Sequence, residues 1–270
     1  MNSTTMTDKT NRTDKTLIET LDPELTRDLT EEARPSDDES GRFAARLAML
    51  SVPLALAATA RRAFAQEIPQ NVIDVLNFAL TLEYLENDFY IAGLAADPLI
   101  PMTDRSIFQT IQMHEQVHVD FLETTLGAQA TAKPTFDFTA GGSFDPFNDY
   151  PTFRLLAQAF EDTGVRAYKG QAPALIDNDM FLSAALTIHS VEGRHAARVR
   201  RLNGLQGWIP GAQPGAADAV APVYAGEDTV VQLGINIMTT AGVSSDSATE
   251  AFDEPLTMEQ VNAIAGQFIA

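Results

Sequence analysis

From about residue 70 onward, apolar positions recur at three- and four-residue steps in four long stretches, the period of helices with one face turned inward. The first predicted helix spans 69–95, with Leu76, Leu80, Glu83, Asn87 and Tyr90 on one face. Asp97-Pro98 and Pro101 break it. The second spans 103–126, with Thr103 as expected N-cap, Phe108, Ile111, Glu115, His118 and Leu122 on one face, and Gly127 closing it. Residues 128–150 carry Gly141-Gly142, Pro134, Pro146 and several aromatics without helical period. So long a link suits a bundle in which one connection crosses its full length. The third helix is expected over 151–171, facing inward with Phe153, Ala157, Phe160, Glu161, Gly164 and Tyr168. The fourth is expected over 177–205, with Leu182, Ala185, His189, Glu192, His195 and Val199 on one stripe. The fold class is therefore all-α, a four-helix bundle over 66–206. Residues 207–270 follow as an irregular Gly-, Pro- and Ala-rich wrap, ending in a short helix that a Thr257–Gln260 capping box opens and that runs to about Phe268.

What stands out against this pattern is acid and imidazole on faces that should be apolar. Glu83 precedes Glu115 by 32 residues, and His118 follows three later; Glu161 precedes Glu192 by 31, and His195 follows three later. Tyr90 and Tyr168 each stand seven residues after the leading glutamate. The chain thus repeats a site across two helical hairpins, not merely a scaffold. Residues i and i+3 are neighbours on a helix, so each Glu-x-x-His pair can serve one ion. A lone pair of this kind is ordinary surface chemistry; two of them at matched spacing are not. Packed together, the hairpins supply four carboxylates and two imidazoles, the donor set of a dimetal carboxylate bundle.

Charge supports a metal centre over a metal-free core. Four clustered, buried carboxylates repel one another and are expensive to desolvate, and no Lys or Arg lies on these stripes. Two divalent cations would balance them. Expected metal ligands are Glu83, Glu115, His118, Glu161, Glu192 and His195, with Glu115 and Glu192 bridging, Glu83 and Glu161 terminal, and one histidine on each ion. Iron is the first expectation and manganese the alternative. Tyr90 and Tyr168 are the candidate catalytic residues, hydrogen-bonding a ligand carboxylate or carrying electrons, unless they are simply core aromatics. His189 stands one turn before Glu192, either behind a ligand or as an alternative one; His114 is read as peripheral.

Composition narrows the partners. The net charge of −19 makes nucleic acid and anionic membranes poor ones. The absence of cysteine excludes thiolate metal sites, disulfides and cysteine nucleophiles. Residues 1–41 read as a disordered acidic extension. Residues 42–65 hold the apolar run Leu47–Ala60, preceded by Arg42 and Arg46 and followed by Ala63-Phe64-Ala65, an export-signal pattern. The leading acidic segment and Arg61-Arg62 run against that pattern. A periplasmic or secreted location is expected, the alternative being a cytoplasmic or membrane-associated protein that touches a membrane only through an uncleaved 42–65. Homo-oligomers are compatible with all of this.

The segments "NFALTLEYLENDFY", "MHEQVHVDFL", "AFEDTGVRAY" and "HSVEGRHAARV", with the tail "FDEPLTMEQVNAIAGQFI", resemble the ferritin-like superfamily. More narrowly they resemble the ferritin-like proteins grouped with desiccation-related proteins. The resemblance implies a four-helix bundle with a long crossover between its second and third helices and a carboxylate-bridged dimetal centre; it does not imply a storage cage. The function expected is oxidation of Fe(II), or reaction with O2 or peroxide, in iron handling or oxidative-stress protection. One alternative is a manganese catalase. The other is a non-enzymatic stress-protective or complex-assembly protein with a structural metal site.

Overall fold

A computed structural model of the chain describes residues 68–212 and 218–270. The acidic extension 1–41 and the signal-like segment 42–65 lie outside the described residues. Four long helices carry the fold: α1 Gln70–Ala95, α2 Met102–Leu126, α3 Tyr150–Gln171 and α4 Asp179–Leu202. The all-α bundle expected from the periodicity is the one observed. α1 packs along α2, α3 along α4, and α1 on α3. No helix among the described residues is long and apolar enough to cross a membrane.

Helix ends follow local chemistry, with two corrections. Thr103 is not the N-cap of α2. Pro101 precedes the helix with extended backbone, and its carbonyl already accepts from the Asp104 and Arg105 amides at 2.9 and 3.0 Å. The first turn is thus organised before Thr103 is reached. α4 stops at Leu202 rather than 205, because Gly204 takes a left-handed φ of 76° and the Leu205 amide folds back onto the Arg200 carbonyl at 3.0 Å. The expected end of α2 holds, and α3 has a cap that the sequence reading did not name. Gly127 ends α2 with φ 59°. Asp149 caps α3 by accepting from the Thr152 amide at 2.9 Å, with Pro151 in the first turn.

The connection 127–149 runs along α1. Asn77 Nδ2 donates to the Gln129 carbonyl at 3.0 Å and Asn77 Oδ1 accepts from the Thr131 amide at 2.6 Å. Lys133 pairs with Asp88 at 2.9 Å, and Phe138 and Phe147 close on Phe89. Covered by α2, α3 and this crossover, α1 is buried on most of its circumference, which explains why its apolar stripe is shallow. Gly93 lets α3 approach; a Cβ there would sit 2.1 Å from the Phe153 ring.

Beyond α4 the chain wraps back onto α3. The wrap contains a hairpin of β1 (Val231–Gln232) and β2 (Ile235–Asn236), short helices α5 (Ile237–Ala241) and α6 (Ser245–Thr249), and a final helix α7 (Met258–Ala265). The Thr257–Gln260 capping box opens α7 as expected, and a 3-10 turn carries it to Phe268. Fully buried Arg166 holds the wrap. Its guanidinium donates to the carbonyls of Glu254 and Ala225, both at 2.7 Å, and to that of Val223, and it pairs with Glu227 at 2.8 Å. Such a pair is tolerated in the interior because its remaining donors are satisfied.

The buried apolar residues form two clusters. One centres on Phe89, Phe108 and Phe153; the other joins Val72, Leu76, Leu122, Leu175 and Phe181. On each long helix, the inward glutamates and histidines noted in the sequence fall between them.

Candidate metal centre

Each helix brings its polar residues inward for the reason its apolar residues point there: they share the stripe. α1 supplies Glu83, α2 Glu115 and His118, α3 Glu161, and α4 Glu192 and His195. All six are buried, and the four glutamates are 0% exposed, so bulk water cannot screen them. They form two overlapping groups whose donor atoms lie within 4.8 Å of one another: Glu83, Glu115, His118 and Glu192; and Glu115, Glu161, Glu192 and His195.

The two shared carboxylates divide their oxygens between the groups. His118 Nδ1 lies 3.3 Å from Glu115 Oε2 and 3.2 Å from Glu192 Oε1. His195 Nδ1 lies 2.7 Å from Glu115 Oε1 and 3.9 Å from Glu192 Oε2. Each group is completed by a glutamate of its own: Glu83 Oε2 at 3.2 Å from His118, Glu161 Oε2 at 3.4 Å from His195. The second oxygen of each is held by a tyrosine from the opposite hairpin. Tyr90 donates to Glu161 Oε1 at 2.5 Å, and Tyr168 donates to Glu83 Oε1. Both candidate tyrosines therefore touch a carboxylate of the cluster, across the hairpins rather than within them.

The donor set fits a cation. Glu115 Oε1, Glu161 Oε2, Glu192 Oε1 and Oε2 and His195 Nδ1 are buried with no hydrogen-bond partner among the described residues. The 2.7 Å approach of His195 Nδ1 to Glu115 Oε1 is close enough for a hydrogen bond but lacks the alignment of one. Buried polar atoms are normally satisfied, and so many orphans converging on one place could be met together by an ion. Carboxylate oxygen with imidazole nitrogen suits iron, manganese or zinc.

The proton equilibria show the same strain. Burial, reinforced by neighbouring carboxylates, pushes Glu192 well above the usual carboxylate range. Burial likewise raises Glu115 to about 7. Glu83 moves the other way: burial raises it, but the His118 charge and its hydrogen bonds outweigh that. For His195, burial opposes protonation, yet the Glu161 charge and its neighbours lift it to about 11. His118 is raised for the same kind of reason, chiefly by Glu83. Burial beside Glu161 and Glu83 holds Tyr90 and Tyr168 far above their ordinary values, so both stay hydrogen-bond donors.

Two residues join the site that the sequence reading left out. His114, read there as peripheral, stacks on His195 with ring centroids 5.1 Å apart and places Nδ1 2.9 Å from His195 Nε2. It is half-buried, between a core imidazole and the surface. Glu86 is buried three residues after Glu83, and the carboxylates acting on it are Glu192, Glu161, Glu115 and Glu83. Its i+3 spacing from Glu83 was a legible signal, the same step that links Glu115 to His118. His189 belongs to neither donor group, and its Nδ1 has no partner among the described residues.

A comparison with curated proteins finds no match to the chain. The family model for the ferritin-like domain matches residues 71–205, half the chain, beginning at the second residue of α1 and ending three residues past α4. The four long helices but for Gln70, the crossover and the paired polar stripes lie inside that span, and the chain belongs to the ferritin-like domain family.

Proposed function

We propose that Glu115 and Glu192 bridge two divalent cations, that Glu83 with His118 and Glu161 with His195 complete one ion each, and that the protein oxidises Fe(II) with O2 or peroxide. The observation carrying this reading is the division of the Glu115 and Glu192 oxygens between the two histidines. Fe(II) held there would supply two electrons to one oxidant, with O2 taking them and two protons to leave as hydrogen peroxide. The chain does the rest. Tyr90 and Tyr168 orient the terminal carboxylates, leaving one oxygen of each free for an ion. The apolar clusters on either side keep bulk water out, which strengthens charge interactions within. His114 fixes the ring of His195 from outside.

The test starts from chelator-treated protein, loaded anaerobically with two equivalents of Fe(II) and then exposed to O2 or H2O2. Consumption of the oxidant with loss of Fe(II) is expected, and Glu115→Ala should abolish it. If neither O2 nor H2O2 is consumed and no Fe(II) is oxidised, the oxidoreductase reading fails. Peroxide breakdown by the manganese-loaded protein alone would make it a manganese catalase. Metal that raises the melting temperature without any turnover would make it a structural centre.

A further inference from the structure

We propose that Glu86 is a fifth carboxylate ligand of the centre, serving the ion held by Glu161 and His195. This rests on the dimetal reading above. Glu86 is 3% exposed, on the inward side of α1 one turn beyond Glu83, and no described residue hydrogen-bonds its carboxylate. A carboxylate taken this far out of water without a protein donor is stabilised by a cation or a retained proton.

The room it occupies comes from α3. Gly164 stands three residues after Glu161, as Glu86 stands three after Glu83, so the two positions are counterparts in the two hairpins. A Cβ on Gly164 would lie 3.1 Å from Glu86 Oε1 and 3.3 Å from Glu192 Oε2. The missing side chain leaves a notch in which Glu86 meets a bridging carboxylate. The Glu192 oxygen it meets there, Oε2, is the one paired with His195 Nδ1 at 3.9 Å, whereas Oε1 faces His118 at 3.2 Å. Glu86 belongs to neither four-donor group, so joining the ion takes a side-chain rotation within the notch. Because its counterpart is glycine, only one ion of the pair gains this ligand. The two halves of the centre, matched in their other ligands, become unequal in charge.

The experiment titrates Co(II) anaerobically into the chelator-treated full chain, followed by calorimetry and by the visible absorption of each bound ion. Wild type should take up two ions. Glu86→Gln keeps the side chain's size and should weaken one ion about 10- to 100-fold while leaving the other within about twofold. Gly164→Ala fills the notch and should weaken the same ion, most of that effect vanishing in the Glu86→Gln background. Two ions bound by Glu86→Gln as tightly as by wild type, or both weakened equally, overturns the inference and leaves the dimetal reading standing. If Glu86→Gln fails to fold, Gly164→Ala carries the test, and unchanged affinities there overturn it. A wild type that binds no pair of ions refutes the dimetal reading and this inference with it.

Discussion

Glu192→Gln should stabilise the metal-free protein and destabilise the metal-loaded one. Glu192 is fully buried, and neither of its oxygens has a hydrogen-bond partner among the described residues. Its pKa is raised well above 4.5 by burial and by Glu115 and Glu83. The sign follows. A carboxyl whose folded pKa exceeds its unfolded value favours folding fully only below the unfolded pKa, and that contribution is lost as pH rises toward the folded one. Holding a proton above the pH at which the group ionises in the unfolded chain costs about 1.36 kcal/mol for each pH unit. The amide carries no such burden but forfeits the attraction of His118 at 3.2 Å, so a net gain of about 2 kcal/mol is expected. For a body of this size that is roughly 4–8 °C in melting temperature. With chelator at pH 7.5 the variant should therefore melt above wild type, and the advantage should disappear near pH 4.5. With Mn(II) at a hundred times its dissociation constant, wild type gains about 2.7 kcal/mol per ion. The variant presents one fewer carboxylate oxygen, and no charge, to the pair, so the order should reverse. A variant less stable than wild type in chelator, or one gaining as much from Mn(II), would refute the reasoning.

Three further perturbations follow from the geometry. Tyr168→Phe strips Glu83 Oε1 of its donor in a dry interior and should lower stability by about 1–3 kcal/mol, read by urea unfolding at pH 7. His114→Ala removes the partner of His195 Nε2 and should weaken metal binding about 10- to 100-fold, read by Mn(II) titration, while leaving the fold intact because His114 is half-buried. Gly170→Ala would place a Cβ 1.9 Å from the Leu256 carbonyl oxygen, a backbone atom that cannot swing aside. It should destabilise by about 1–3 kcal/mol and speed hydrogen exchange at the Leu256 amide, which donates to the Arg166 carbonyl.

Local rules carried a good deal of this protein. Gly127 at the end of α2 and the Thr257–Gln260 box depend on residues within one turn of each other, so the chain alone displays them. The Glu-x-x-His pairs do so as well, because a helix places i and i+3 side by side whatever surrounds it. Their repetition at spacings of 31 and 32 residues marked which faces would meet. Local rules also failed locally: Thr103 looks like a cap, but Pro101 begins the turn first. Packing between helices settled the rest. Tyr90 reaches Glu161 and Tyr168 reaches Glu83, 71 and 85 residues away along the chain, an exchange that seven-residue spacing within a hairpin does not disclose. His114 became part of the site because α4 lays His195 against it, and Glu86 because α3 has no side chain at position 164. The helical period determines the direction in which a side chain leaves its own axis. What it meets there depends on the register and approach of a second helix, and these arise from the summed packing of the whole core.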